Sequence, residues 1–242
     1  MADKQTVTGT HTETHPLLHK ASGFWASYSK PIIYIGSAII IIIGAWYAYQ
    51  AFVIKPKEEK SADVIFPAEN LFDKMATSGF NKDSVNIVLN GGDLEGNKVT
   101  GLLNIIKNYG GTNAANRANY MTGASYLHIK EFDKAIKYLE AFDGNGASQV
   151  QTRAFIMLGH AYAEKKKTSE ALNYYKKAAS LNEKDEFYAS DAYLIAATYA
   201  DAIGNQKEAI NLFKKLKEKY PTNSSVQSGE VDKYLARLGE IE

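Results

Sequence analysis

The 242-residue chain contains no cysteine. That removes disulfides, thiolate nucleophiles and cysteine-bound zinc, and it fits an oxidising compartment as readily as a reducing one. A charge excess is lacking too, since 28 Lys and Arg face 27 Asp and Glu. A nucleic-acid partner would call for a basic surface, so none is expected. Catalytic signatures are also missing: there is no GxSxG elbow, no P-loop and no paired metal-ligand motif. His128 and His160 each stand alone, and a lone imidazole is far more often a surface or groove residue than a base. The chain therefore reads as a non-enzyme with no cofactor and no small-molecule substrate.

One absence is local. Residues 31–54 carry no charge, and Lys30 and Lys55 bound them. At ~1.5 Å per residue, 24 helical positions reach ~36 Å, more than the ~30 Å of hydrocarbon in a bilayer. Only a helix satisfies its own backbone in lipid, so this stretch is expected to be a single transmembrane helix. Pro31 suits its first turn. Trp25 and Tyr28 before it, and Trp46, Tyr47 and Tyr49 near its end, match the aromatic belts of two interfaces. The run is too long for a signal-peptide core, and the bulky residues at its end spoil a small-residue cleavage site, so a retained anchor is expected. Gly44 and Ala48, four apart, are small enough to let a second helix dock.

Charge does not decide which way the helix crosses: Lys20 and Lys30 stand on one side, and Lys55, Lys57 and Lys60 on the other. Without Lys4, Lys20, Lys30, Asp3 and Glu13, the part after the span keeps 25 basic and 25 acidic residues. Residues 1–30 are expected to be a disordered polar tail, with Thr at 6, 8, 10, 12 and 14. His11, His15 and His19 have helical spacing, but Pro16 among them and the threonines around them oppose a metal-binding helix.

Residues 55–115 predict membrane-proximal helices. Apolar residues at 65, 68, 71, 72 and 75 have helical spacing, and shorter helices end at Asn90-Gly91-Gly92 and Tyr109-Gly110-Gly111. From residue 116 the chain repeats itself. Gly123, Gly159 and Ala197 are each followed twelve residues later by alanine, namely Ala135, Ala171 and Ala209. The units are offset by 36 and 38 residues, close to the 34 of a tetratricopeptide repeat. Small residues let two helices approach, and large ones such as Tyr162, Tyr175 and Phe213 fill the space beside them. The predicted fold class is all-α: a transmembrane helix, an α-solenoid of three such repeats over 116–223, and a capping helix within 224–242.

The first helix of each repeat pair lines the concave face of such a stack. By register, that face holds Arg117, Tyr120 and Leu127, then Arg153, Ile156 and His160, then Leu194, as a binding groove for polypeptide or as plain solvated positions. Repeat domains that grip C-terminal carboxylates carry Lys, Asn and Arg where this chain has Tyr120, Ala124, Met157, Asp191 and Ile195. That clamp is missing. Lys165-Lys166-Lys167 falls in a turn, where a charge run is usually solvation.

Several short stretches point further: Leu89-Asn90-Gly91, Gly101-Leu102-Leu103-x-Ile105, Tyr109-Gly110-Gly111-Thr112, Asn116-x-Ala118-x-Tyr120 and Lys233-Tyr234-Leu235-Ala236-Arg237. With a single span before a repeat domain, they make residues 31–238 resemble the ancillary subunit of the bacterial SecYEG translocon, most nearly a Gram-negative version. The resemblance implies an inner-membrane protein with a cytoplasmic N-terminus and periplasmic repeats. It also implies translocon subunits, periplasmic chaperones or secreted polypeptides as partners. An adaptor of another envelope assembly, for secretion or division, and an organelle import receptor are the alternatives.

Overall fold

A computed structural model describes residues 16–94 and 96–240. The chain divides into two compact units, residues 1–55 and 56–242. In the first, helix α1 (Pro16–Tyr49) takes in Pro31 and most of the uncharged run. Residues 16–30, expected within a disordered tail, are helical. His11 and His15 lie outside the described residues, as does the side chain of His19. A π-helical turn (Gln50–Ile54) ends the uncharged run, with the Lys55 N–H donating to the Gln50 carbonyl five residues back. The helical stretch beginning at Lys30 contains an 18-residue window of mean hydropathy 1.9, none of it buried. Ile33, Ile40, Ile42 and Tyr47 are all exposed, and a helix apolar on every side with nothing to cover it suits lipid.

The second unit is an α-solenoid. Helix α2 (Lys55–Ser78) buries Ile65, Ala68, Leu71 and Met75 on one face. Helix α3 (Lys82–Asn90) is capped by Asn81, whose side chain accepts the Ser84 N–H. A short antiparallel hairpin follows, which the apolar pattern did not reveal: β1 (Gly92–Leu94) pairs with β2 (Asn97–Val99), Gly92 opposite Val99. The hairpin closes where Gly101 crosses the end of α3. A Cβ on Gly101 would lie 2.3 Å from the carbonyl carbon of Asn90, so only glycine fits.

Helix α4 (Leu102–Asn108) leads into three helix pairs: α5 (Asn113–His128) with α6 (Phe132–Glu140), α7 (Ser148–Glu164) with α8 (Thr168–Ser180), and α9 (Glu186–Ala202) with α10 (Gln206–Lys219). Each helix packs on the next, and α7 also touches α5 and α9, so the first helices of the pairs stand side by side. Small residues sit where partners close in: Gly123 against Leu139, and Gly159 against Tyr175. Helices α11 (Ser224–Gln227) and α12 (Glu230–Arg237) finish the stack, burying Val231 and Leu235 against the α9–α10 core.

Candidate protein-binding groove

Helix α2 is one wall of the groove. Glu58 accepts the Asn113 N–H at the head of α5 (3.0 and 3.1 Å to its two oxygens), and Lys57 Nζ donates to the Gly110 carbonyl at 2.9 Å. Farther along, Glu69 Oε1 pairs with Arg117 Nε at 2.6 Å. Beyond the end of α2, Phe80 packs edge-on to Phe72 and lies flat on His128, ring centroids 3.7 Å apart. Repeat register puts Arg117 and Tyr120 on the concave face of the stack. In the structure Arg117 is held by α2, and Tyr120 stands at the foot of that wall.

Two clefts meet at Tyr120. The first, about 600 Å³, lies between α2 and the loop after α6, with Phe66, Arg117, Phe142 and Val150 among its lining residues. That loop is fixed by Asn116, whose amide donates to the Asp143 carbonyl at 2.6 Å and accepts the Asp143 N–H at 2.9 Å. Gln151 Oε1 accepts the Gly144 N–H at 2.7 Å. The second cleft, about 730 Å³, runs over α5 and α7 to Tyr188. Both include Phe72, Asp73, Tyr120 and Val150, which makes them two lobes of one groove. Phe66 is 60% exposed and Val150 37%, unusually open for apolar side chains beside a cleft.

Arg153 lies in the second lobe. Its Nη2 donates to the Tyr188 hydroxyl at 3.0 Å, and its guanidinium carbon is 5.3 Å from the centre of that ring. The Tyr188 backbone is held by Asp185, which caps α9 and accepts from Gln149 Nε2 of α7 at 2.9 Å. Burial raises the Tyr120 hydroxyl pKa, partly offset by the Arg153 charge nearby.

The other anticipated groove residues have local partners. Ile156 and Leu194 are half-buried against the α8–α10 core, and Leu127 packs on the core beneath α2. His160 Nδ1 is 2.8 Å from the Tyr175 hydroxyl, and burial lowers its pKa, with Glu164 opposing. His128, under Phe80, is also lowered by burial. Of the three turn lysines, Lys165 bridges to Asp133 of the preceding pair at 2.6 Å, and Lys167 lies over Tyr162. Gly44 and Ala48 are exposed on α1, and a Cβ on Gly44 would meet nothing within 4 Å.

Residues 152–185 and 191–223 each match the tetratricopeptide repeat family. The chain carries tetratricopeptide repeats. The matched stretches contain α7–α8 and α9–α10, and α5–α6 has the same helix–turn–helix form with Gly123 and Leu139 where the second pair has Gly159 and Tyr175. Tetratricopeptide repeats make this chain a protein-interaction scaffold. No curated protein and no solved structure gives a significant match.

What the repeat pattern alone missed is the far side of the groove. Phe66, Glu69, Phe72 and Asp73 come from outside the repeats, and Tyr188 from a helix start rather than a repeat register position. The one available signal was the adjacent pair Leu71-Phe72, which widens the apolar face of α2 beyond a single contact stripe.

Proposed function

We propose that this chain is a non-enzymatic, membrane-anchored scaffold of the Sec protein translocon. Residues 31–54 cross the inner membrane, the N-terminus is cytoplasmic, and the repeats over 116–223 hold partner polypeptides in the periplasm. The observation that carries the scaffold reading is the two-lobed groove, bounded by α2 and by the first helices of the repeats, with apolar side chains left open at its rim. The translocon assignment rests on the resemblance of the stretches around Asn90-Gly91 and Gly110-Gly111-Thr112. The second of these stretches lies at the base of the α2 wall: Gly110 accepts from Lys57, and Thr112 caps α5. Gly44 and Ala48 offer a docking face for a translocon helix within the bilayer.

The test uses photo-crosslinking residues at Phe66 and Val150 of the full chain in living cells. Translocon subunits, periplasmic chaperones or secreted chains in transit are the expected products. Crosslinks confined to division or other secretion components would overturn the translocon assignment, and their complete absence would overturn the groove. A reporter active only in the periplasm should work after Glu242 and be silent before Met1.

A further inference from the structure

The chain contains only three arginines, and all three lie on helices that border the groove or cap the stack. Two are neutralised within the protein: Arg117 by Glu69 and Arg237 by Asp201. Among the described residues Arg153 has no carboxylate partner. Its neighbours are the Tyr188 hydroxyl and ring, and Tyr120. A guanidinium presents five donors in a planar fork, and the Tyr188 oxygen uses one of them. Half-buried Phe72 and Phe80 line the same cleft. Arg153 is exposed at a cleft lined by both polar and apolar side chains, and a cation held over an aromatic ring there is a receptor for a carboxylate, which it can bind in bidentate fashion.

We propose that this lobe takes an internal acidic side chain of an extended partner polypeptide: the Asp or Glu pairs with Arg153, and an adjacent apolar side chain packs on Phe72, Phe80 and Tyr120. The inference rests on the groove being the binding surface and names the chemistry that the groove selects. An internal side chain fits better than a chain terminus for two reasons. The positions that would clamp a terminal carboxylate hold Tyr120, Ala124, Met157, Asp191 and Ile195, none of them cationic. The lobe also opens at Phe72, Asp73 and Tyr120 into the neighbouring one, so a bound chain can run on. Asp73 faces the same space and sets direction, because a second acidic residue on that side would meet a like charge.

The test uses the full chain in detergent micelles and pools of N-acetylated, C-amidated nonapeptides. Each pool has Phe at the centre, Glu, Gln or Lys beside it, and the other positions randomised. Retention of the Glu pool should exceed that of the Gln pool about tenfold, the ratio expected for one charge-assisted pair in a cleft. Arg153→Gln should collapse the ratio to about one, Arg153→Lys should restore part of it, and Lys165→Ala should leave it unchanged. Circular dichroism confirms that each variant is folded. Equal retention of Glu and Gln pools, a ratio indifferent to Arg153→Gln, or no retention of any pool would each overturn the proposal. Crosslinks from Phe66 and Val150 report on the groove independently, so a failed charge preference does not read as a failed groove.

Discussion

Gly159 faces the ring of Tyr175, and a Cβ on that glycine would lie 2.3 Å from Cε1 of the tyrosine. The ring cannot step aside. It is 2% exposed, its hydroxyl is 2.8 Å from His160 Nδ1, and its edge meets Tyr199 with centroids 5.0 Å apart. Gly159→Leu should therefore destabilise the chain by ~1–3 kcal/mol through overpacking. Gly159→Ala should also destabilise, even though alanine gains ~1 kcal/mol of helix propensity over glycine. Thermal melts followed by circular dichroism decide it. Combining Gly159→Ala with Tyr175→Leu should cost less than the sum of the two single changes, because the smaller side chain vacates the clash.

Glu140 ties the first pair to the second. Tyr162 and Tyr174 stack at 5.3 Å, and their hydroxyls donate to the same Glu140 oxygen at 2.8 and 2.9 Å. Burial foremost, then the bond to Glu140 and its charge, push the Tyr174 phenol up to about 12, and the same causes raise Tyr162. The unfolded chain ionises its phenols near 10. This contribution is whole below pH 10 and is lost as pH rises toward about 12. Glu140→Ala should cost ~0.5–1.5 kcal/mol at neutral pH. It should also flatten the decline of melting temperature above pH 10, without abolishing it, since burial is the larger cause. An unchanged alkaline slope would mean the carboxylate does not hold the two hydroxyls.

The repeats were readable because close helix approach imposes a residue type at a spacing: Gly123 and Gly159 must be small whatever else changes. The α2 wall was only half readable. Its stripe at 65, 68, 71 and 75 says that one face is buried, but the contacts that choose the partner span 48 residues from Glu69 to Arg117 and 55 from Glu58 to Asn113. Local periodicity holds no such information. The hairpin escaped notice because each strand has only three residues, too short for an alternating pattern, and among the described side chains only Val99 is buried. Arg117 and Arg153 occupy the same repeat position and looked equivalent. What separates them is a carboxylate on a helix outside the repeats.

His128 and His160 contribute to the acid limb of stability. Burial lowers both pKa values below the usual 6.5, so the folded rings resist the proton that the unfolded chain accepts. Their contribution is whole above pH 6.5 and shrinks as pH falls below it. In the neutral ring with its proton on Nε2, His160 Nδ1 accepts the Tyr175 O–H, and protonation ends that role. The melting temperature should drop between pH 7.5 and pH 5.5, about one unit to either side of the ordinary value. The double change His128→Gln and His160→Gln should level that slope, even if it lowers the whole curve. A slope unaffected by the double change would assign the acid sensitivity to other groups.

The α2 wall depends on how its first turns are pinned. Glu58 reaches Asn113 at the start of α5, where the helix presents free N–H groups and the positive end of its dipole. Thr112 satisfies Ala115 through its hydroxyl at 3.1 Å, and Glu58 supplies the acceptor for the neighbouring N–H from another helix. Removing that carboxylate leaves an uncapped donor beside half-buried surface. Glu58→Ala should therefore cost ~0.5–2 kcal/mol, and Glu58→Gln less, because an acceptor survives without its charge. Glu59→Ala is the control. Glu59 is exposed, with no hydrogen bond or ion pair among the described residues, and its loss should stay within ~0.5 kcal/mol. Hydrogen exchange at the start of α5 should quicken in Glu58→Ala and not in Glu59→Ala. Since Phe66 and Phe72 ride on the same helix, a loosened α2 should also weaken crosslinking from Phe66 more than from Val150, which is carried by α7. Equal effects at both positions would show that the groove does not need α2 held in place.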